Sequence, residues 1–291
     1  MNLDIKGCDG LDYMPCGLGQ ITCLQTLPKF VVGKRGREVG QLRELKGLKN
    51  LKGQLKVSCL EYAGTPELGS TYLKDKLYLK SLWNDFECLQ PHPNLDTLVV
   101  HGYQGSKISC WLSSIMNLTE LCLEFCFKCK HLPPLHQLSS LKVLKLLVLG
   151  LESLEDLSNK STTIFFPSLE EVHIHDCPNL KEWWRPGDVG EASNAHLPCF
   201  HHLTYLIIEC CPNLTSMPLF PPVRKLKLRK TGSKPLQKTM KLKSTTIKAS
   251  SSAFPPFSKL ESLDFQEIED LDSMPSLHQL SSLQVLKLHK L

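Results

Sequence analysis

A short pattern of apolar residues, L-x-x-L-x-L, recurs along most of this 291-residue chain. In most copies the fourth and sixth positions are apolar and the residue between them is polar, as expected of a short strand with one buried face. Each copy therefore predicts one β-strand. The copies begin at Leu95, Leu118, Leu141, Leu169, Leu203, Val223, Leu260 and Leu283.

Two segments of the repeat region are nearly identical, which indicates that units were duplicated. Pro133–Leu146 reads PPLHQLSSLKVLKL, and Pro275–Leu288 reads PSLHQLSSLQVLKL. Strands that recur in this way stack in parallel, and each connection crosses behind the sheet. The sequence predicts an α/β leucine-rich-repeat solenoid, a horseshoe with a parallel β-sheet on the concave face and irregular or short helical turns on the convex side.

Cysteine recurs at one place in the repeat, just after the predicted strand. Cys126, Cys177 and Cys211 hold this position, and Cys8 holds it behind Leu3 and Ile5. A small, weakly polar side chain fits between stacked turns where a bulky one would not. We interpret the cysteines as reduced, mostly buried thiols.

The regularity of the repeat divides the chain into five parts. They are N-terminal repeats at 1–32, a degenerate repeat region at 33–92, regular repeats at 93–230, a loop rich in Lys, Ser and Thr at 231–256, and C-terminal repeats at 257–291. A second interruption at 185–199, rich in Gly, Pro and Ala, is also predicted to be a loop. Neither end carries a polar cap, so we expect the isolated chain to be marginally soluble.

The net charge of +5 is too small to indicate nucleic-acid binding, which needs basic residues concentrated on one surface. The N-terminus lacks the apolar core of a signal peptide, and no run of eighteen apolar residues occurs. These features predict a cytoplasmic protein that does not span a membrane.

On the predicted concave face, each of three repeats carries mainly one sign of charge. An acidic unit contains Glu170, Glu171, His173, His175 and Asp176; a basic unit contains Arg224, Lys225, Lys227, Arg229 and Lys230; a second acidic unit contains Glu261, Asp264 and Glu267. We expect these strips to lie side by side and form a protein-binding surface. Opposite charges would then partly neutralise one another, or the basic strip would dock an acidic protein surface.

Two groups of residues could carry chemistry. Cys122, Cys126, Cys129 and His131 approximate the spacing of a zinc site, but Cys126 is already explained by the repeat and no second C-x-x-C follows. His173, His175 and Asp176 have no nucleophile beside them in the sequence, and a solvated strand face explains them better. We therefore predict no enzyme activity and no metal site. Trp183 and Trp184 are expected to pack against the convex core rather than to form a binding surface.

Several phrases, in this order, carry a family resemblance: LQTL at Leu24–Leu27, FVVG at Phe30–Gly33, LRELKGLKNLKGQL at Leu42–Leu55, LQPHPNL at Leu89–Leu95, LPPL at Leu132–Leu135 and FPSLE at Phe166–Glu170. The chain resembles the repeat region of plant intracellular disease-resistance receptors, which join a coiled coil, a nucleotide-binding domain and leucine-rich repeats. The resemblance implies that the repeats hold the nucleotide-binding domain inactive and recognise a pathogen effector or a guarded host protein.

No cofactor is predicted for this chain, because ADP or ATP would belong to a nucleotide-binding domain that the chain does not contain. Pro28 stands where a phosphate-binding loop needs its first glycine, and Arg35 stands where it needs Ser or Thr. Two alternative functions stay open at this point. They are a substrate-recruiting adaptor of a ubiquitin ligase, which has the same fold, and a truncated decoy or non-functional receptor fragment.

Overall fold

Among the residues that the structure describes, eleven parallel strands form one sheet in chain order, and two further short strands form a separate sheet. The computed structural model describes residues 1–5, 7–8, 10–34, 36, 38–59, 72–84, 89–103, 105–108, 110–155, 166–184, 200–215, 217, 223–241, 257–268, 270 and 280–290. The sheet consists of β1 (Lys29–Val31), β2 (Lys52–Ser58), β3 (Tyr78–Asn84), β4 (Thr97–His101), β5 (Glu120–Glu124), β6 (Val143–Leu147), β8 (Glu171–His175), β10 (Tyr205–Glu209), β11 (Lys225–Arg229), β12 (Ser262–Gln266) and β13 (Val285–His289). The predicted solenoid is confirmed.

Each copy of the repeat from Leu95 onward forms one strand of this sheet. The strands pair in register, so that Leu206 lies beside Val172 on one side and Leu226 on the other. The apolar second and fourth residues of each strand from β8 to β12 are buried in one continuous core, while the residues between them are partly exposed. The repeat pattern thus fixes which side chains face solvent.

Two further strands lie within the segment predicted to be degenerate, 33–92. Leu55 and Val57 supply the buried positions of β2, and Leu79 and Leu82 supply those of β3. The register between β2 and β3 shifts at Gly53, which has a φ of 79°. Irregular spacing therefore does not interrupt the sheet here.

The side of the core opposite the sheet consists of short, irregular elements. In the described part of the chain, this side contains three 3-10 segments, the short helix α1 (Glu44–Gly47) and a two-stranded sheet of β7 (Ser153–Glu155) and β9 (Glu182–Trp184). The 3-10 segments are Leu18–Gln20, Cys110–Ser114 and Leu135–Gln137. Trp183 is buried against Phe200, with ring centroids 5.7 Å apart. The expected packing of this tryptophan is confirmed, whereas the side chain of Trp184 lies outside the described residues.

The predicted loop at 231–256 begins instead with a helix, α2 (Lys234–Lys241). Ser233 stands just before this helix, and its hydroxyl accepts a hydrogen bond from Gln237 Nε2 at 3.1 Å. Pro235 lies in the first turn, where its missing N–H costs no helical bond, and Leu236 is buried in the core. The loop prediction is therefore wrong for 234–241; residues 242–256 and the predicted loop at 185–199 lie outside the described residues.

Three of the four cysteines at this repeat position are buried, as predicted, and Cys8 is the exception. Cys126, Cys177 and Cys211 are fully buried, and each thiol donates to the carbonyl of the residue two positions before it. Cys8 is exposed, although it occupies the same position of the repeat.

The residue that follows each of the four strands β8, β10, β11 and β12 adopts the left-handed conformation, a feature that the sequence reading missed. Asp176, Cys210, Lys230 and Glu267 have φ values of 48°, 54°, 47° and 54°. This conformation is uncommon for residues other than glycine, and here it turns the chain out of the strand. It sets one side chain of each turn in a row along the end of the sheet, which we call the exit row.

Candidate functional site

The exposed face of the sheet across β8, β10, β11 and β12 contains the charged residues predicted to bind protein. On each strand the first, third and fifth residues face solvent. Glu170, Arg224 and Glu261 lie just before their strands, and Asp176, Lys230 and Glu267 lie in the exit row. The predicted residues thus form three rows across the same region of the sheet.

The expectation that the three charged strips lie side by side is wrong for the first acidic strip. Strand β10 lies between β8 and β11 and presents Tyr205, Ile207 and Glu209 to solvent. The repeat that begins at Leu203 carries little charge on this face. The prediction, which was based on charged residues, therefore did not include it. Only β11 and β12 juxtapose basic and acidic units directly.

Glu209 connects the acidic and basic units across β10. Its carboxylate lies 2.7 Å from Lys227 Nζ on one side and 3.5 Å from His175 Nε2 on the other. The side chain of Glu209 is 14% exposed, so this is the most shielded carboxylate of the network. Sequence reasoning missed this residue, although its place in the Leu203 repeat matches that of His175.

Most of the basic unit is paired with the neighbouring acidic unit. Arg224 Nη1 lies 2.9 Å from Glu261 Oε1, and Glu267 lies 3.3 Å from Arg229 and 3.5 Å from Lys230. Partial desolvation acts to raise the pKa of Glu267, but Lys230 and Arg229 together lower it below its ordinary value. The neutralisation expected between adjacent strips is therefore present between β11 and β12.

Lys225 differs from the rest of the basic unit. It is exposed at the start of β11, and none of the described side chains forms an ion pair with it. Asp264 is aligned with Lys227 across the strands, but it accepts hydrogen bonds from Gln266 Nε2 at 3.1 Å instead. Lys225 is thus the basic group of this face best placed to receive a partner's carboxylate.

The first acidic unit is organised around its two histidines. His173 Nε2 lies 2.6 Å from Glu171 Oε1, and its ring packs edge-on against Tyr205 at 5.5 Å. His175 Nδ1 lies 3.1 Å from Asp176 Oδ2. These contacts hold both rings against the sheet.

Cys210 lies beside His175 and Asp176, and sequence reasoning did not connect the three residues. A ring nitrogen of His175, a carboxylate oxygen of Asp176 and the Cys210 thiol all lie within 4.8 Å of one another. Burial, and then a hydrogen bond to the Asp176 carboxylate, raise the pKa of the Cys210 thiol. The exit-row position shared by Asp176 and Cys210 would have indicated this proximity had the left-handed turn been anticipated.

A cavity of about 680 Å³ opens beside this group. Its lining includes Asp176, Cys210, Lys230, Glu267 and Asp270. Exit-row side chains therefore form one wall of a solvent-accessible recess at the end of the sheet.

The zinc spacing at Cys122, Cys126, Cys129 and His131 does not produce a ligand cluster among the described residues. Cys126 and Cys129 point into the core, where their thiols donate to backbone carbonyls. Burial raises the pKa of Cys122 and of Cys126 to about 12. These thiols stay protonated near neutral pH, as expected of buried structural cysteines.

Two exposed aromatic side chains follow β5, on the other side of β6 from the charged face. Phe125 and Phe127 are 41% and 47% exposed, and Phe125 packs edge-on against His101 at 5.1 Å. Large exposed aromatic side chains are enriched at protein interfaces. They add an apolar element that β6 separates from the charged face.

Comparison with known proteins agrees with this architecture. Residues 42–149 match the family model described as R13L1/DRL21 leucine-rich repeats. The disease resistance protein RGA2 of Solanum bulbocastanum is 32% identical over 224 residues, which cover 68% of this chain and 22% of that protein. A protein of Arabidopsis thaliana named for disease resistance, At3g14460, is 32% identical over 222 residues, or 66% of this chain and 15% of that protein.

The chain is a leucine-rich-repeat protein related to plant disease-resistance proteins. The matches span 15% and 22% of the length of these two relatives. The mouse RP105/MD-1 complex has the same fold, with a TM-score of 0.54 and 16% identity over 91% of this chain and 42% of that chain. None of the helices in the described part of the leucine-rich-repeat chain is long and apolar enough to cross a membrane.

Proposed function

We propose that this chain is a protein-binding module of a cytoplasmic plant immune receptor. In this role it recognises a pathogen effector or a guarded host protein and docks on the nucleotide-binding domain of the same receptor type. The observation that carries the proposal is the exposed face of β8 to β12, where buried apolar residues hold an ordered array of charged and aromatic side chains. Its relationship to disease-resistance proteins supports the biological setting.

The array is suited to protein recognition because its side chains are already held in place. Cross-strand ion pairs at 2.7 to 3.3 Å, such as Lys227 with Glu209 and Arg229 with Glu267, fix long side chains that would otherwise be free. A surface that is ordered before binding loses less conformational entropy in the complex. The concave face therefore offers affinity without requiring rearrangement of the backbone.

The same ion pairs leave room for exchange with a charged partner. Arg224 is 57% exposed although it pairs with Glu261, and exposed pairs of this kind contribute about 0 to 1 kcal/mol. An incoming carboxylate can replace Glu261 at little cost, and Lys225 lies next to this position without an ion pair among the described residues. We infer that an acidic partner surface first contacts Arg224 and Lys225.

The proposal is tested by a pull-down against a coiled-coil plus nucleotide-binding fragment from the same genome at low and high salt. The double variant Arg224→Glu and Lys225→Glu is compared with a control, Lys46→Glu and Lys49→Glu, which makes the same charge change on exposed residues near α1. We expect the face variant to weaken binding about tenfold or more and to reduce its salt dependence, because charged contacts steer association.

The control should bind like the parent chain. Equal loss in both double variants would show that net charge, and not this face, controls association. No association of the well-folded parent chain would contradict docking on the nucleotide-binding domain and favour a free-standing adaptor or decoy.

A further inference from the structure

We propose that His175, Asp176 and Cys210 form a binding site for one thiophilic divalent cation of the zinc type. The site lies at the end of β8 and β10, beside the exit-row cavity. It is independent of the protein-binding role proposed above.

The repeat geometry explains why these three residues meet. The register aligns His175 with Glu209, so the residues that follow them, Asp176 and Cys210, are adjacent across the sheet. Both adopt the left-handed conformation, with φ values of 48° and 54°. The backbone N–H of Asp176 donates to the Glu209 carbonyl at 3.1 Å, which fixes the two turns to each other.

The distances suit a metal ion after small side-chain adjustments. The three potential ligand atoms lie within 4.8 Å of one another. Zinc binds nitrogen, oxygen and sulfur at about 2.0 to 2.3 Å in tetrahedral geometry, which requires ligand atoms roughly 3.3 to 3.8 Å apart. Rotation about side-chain torsions supplies the difference without moving the backbone.

The orientation of His175 provides a second observation that points to a ligand. Its Nδ1 atom is shielded from solvent and makes no hydrogen bond, although Asp176 Oδ2 lies 3.1 Å away. Its Nε2 atom lies 3.5 Å from Glu209, which Lys227 holds from the other side. A carboxylate behind one ring nitrogen, with the other directed at the metal, is the usual support for a ligating histidine.

The ligand set selects the class of cation. A thiolate, an imidazole and one carboxylate favour zinc and similar borderline metals over magnesium or calcium, which require mainly oxygen ligands. Three protein ligands leave a fourth position, which would face the cavity and hold water. Binding converts the Cys210 thiol to a thiolate and releases its proton to solvent.

Nearby positive charges do not block the site. Arg229 and Lys230 both pair with Glu267, at 3.3 and 3.5 Å, so their charge is partly compensated. Asp176 and Glu209 add negative charge on the opposite side. The local field therefore tolerates a divalent cation.

The test uses Co²⁺ as a spectroscopic probe of zinc sites on the intact chain, because a thiolate ligand gives cobalt a near-ultraviolet charge-transfer band. We expect the parent chain to bind one Co²⁺ with this band and Zn²⁺ to displace it. Cys210→Ser should abolish the band, and Asp176→Asn and His175→Gln should each weaken binding at least tenfold. Cys59→Ser is the matched control, because Cys59 also follows a strand with a positive φ of 61°.

Near-ultraviolet circular dichroism establishes that each variant is folded before titration. Loss of the band in folded Cys210→Ser, but not in Cys59→Ser, would support the site. The proposal is overturned if the parent chain gives no stoichiometric thiolate band, if Cys210→Ser retains it, or if folded Asp176→Asn and His175→Gln bind Co²⁺ like the parent.

Discussion

Glu209 Oε1 lies 2.7 Å from Lys227 Nζ, and this ion pair joins the two middle strands of the charged face, β10 and β11. The carboxylate is more shielded than the others of the network and also faces His175 at 3.5 Å. Removing its charge leaves Lys227 partly buried without its partner. The interaction therefore bears on stability as well as on binding.

We predict that Glu209→Gln lowers the free energy of unfolding by about 1 to 2 kcal/mol, because a partly buried ion pair loses one member. Glu261→Gln should cost less than about 0.5 kcal/mol, since its pair with Arg224 is exposed. Urea unfolding followed by circular dichroism measures both changes. Equal effects would show that shielding at Glu209 does not strengthen its ion pair.

Burial at equivalent positions of different strands should decide the cost of losing a leucine. Leu206 is fully buried in β10, whereas Leu286 occupies the same repeat position in β13 and is 39% exposed. We predict that Leu206→Ala destabilises the chain by about 2 to 5 kcal/mol and Leu286→Ala by less than about 1.5 kcal/mol. Thermal unfolding of the two variants under one condition makes the comparison. A larger effect at Leu286 would contradict the core described here.

The sheet could be predicted from the sequence because its signal is local. Every strand from β4 onward, other than β7 and β9, carries apolar residues at two alternating positions, as Leu206 and Ile208 do, and stacking follows from repetition. Helix α2 was missed because its signals, Ser233 and Pro235 before Leu236, are embedded in a stretch whose composition is typical of a loop.

The candidate site was less predictable because it depends on the order and ends of the strands. The charged strips could be read from the sequence, but the uncharged face of β10 was overlooked, and with it Glu209. The cluster at His175 and Cys210 needs both the register and the turn after each strand. Neither is visible in the alternation of apolar residues alone.

Because the Cys122 thiol is buried, we predict that the chain loses stability at alkaline pH. Burial, followed by a hydrogen bond to Glu124, raises its pKa from 9.0 to about 12. Between pH 9 and 12 the unfolded chain loses this proton while the folded chain keeps it, so rising pH favours unfolding. Below pH 9 both states hold the proton and the effect vanishes.

Between pH 9 and 12 the free energy of unfolding should decrease as the pH rises. We expect Cys122→Val to make this decrease smaller by about 1 kcal/mol per pH unit. Urea unfolding at several pH values from neutral to strongly alkaline measures the slope. Cys8→Val, at an exposed position, serves as the control and should leave the slope unchanged. Parallel slopes for Cys122→Val and the parent chain would show that the Cys122 thiol ionises equally in both states.

At Lys230, the left-handed position after β11, we expect glycine to give a more stable chain than valine. This is the reverse of the order expected within a strand. Lys230 has a φ of 47°, where a β-branched residue is strained and glycine is not. Lys230→Gly and Lys230→Val remove the same charge, so their difference isolates the backbone effect. We predict that the valine variant is less stable than the glycine variant by about 1 to 2 kcal/mol.

Arg229, one residue earlier, lies within β11 and gives the matched control. There valine suits the strand and glycine weakens it by about 0.5 to 1 kcal/mol, so Arg229→Val should be the more stable variant of its pair. Urea midpoints of the four variants at neutral pH measure both differences. The same order at both positions would contradict a left-handed turn at Lys230, whereas opposite orders would support it and, with it, the conformation that Asp176 and Cys210 share.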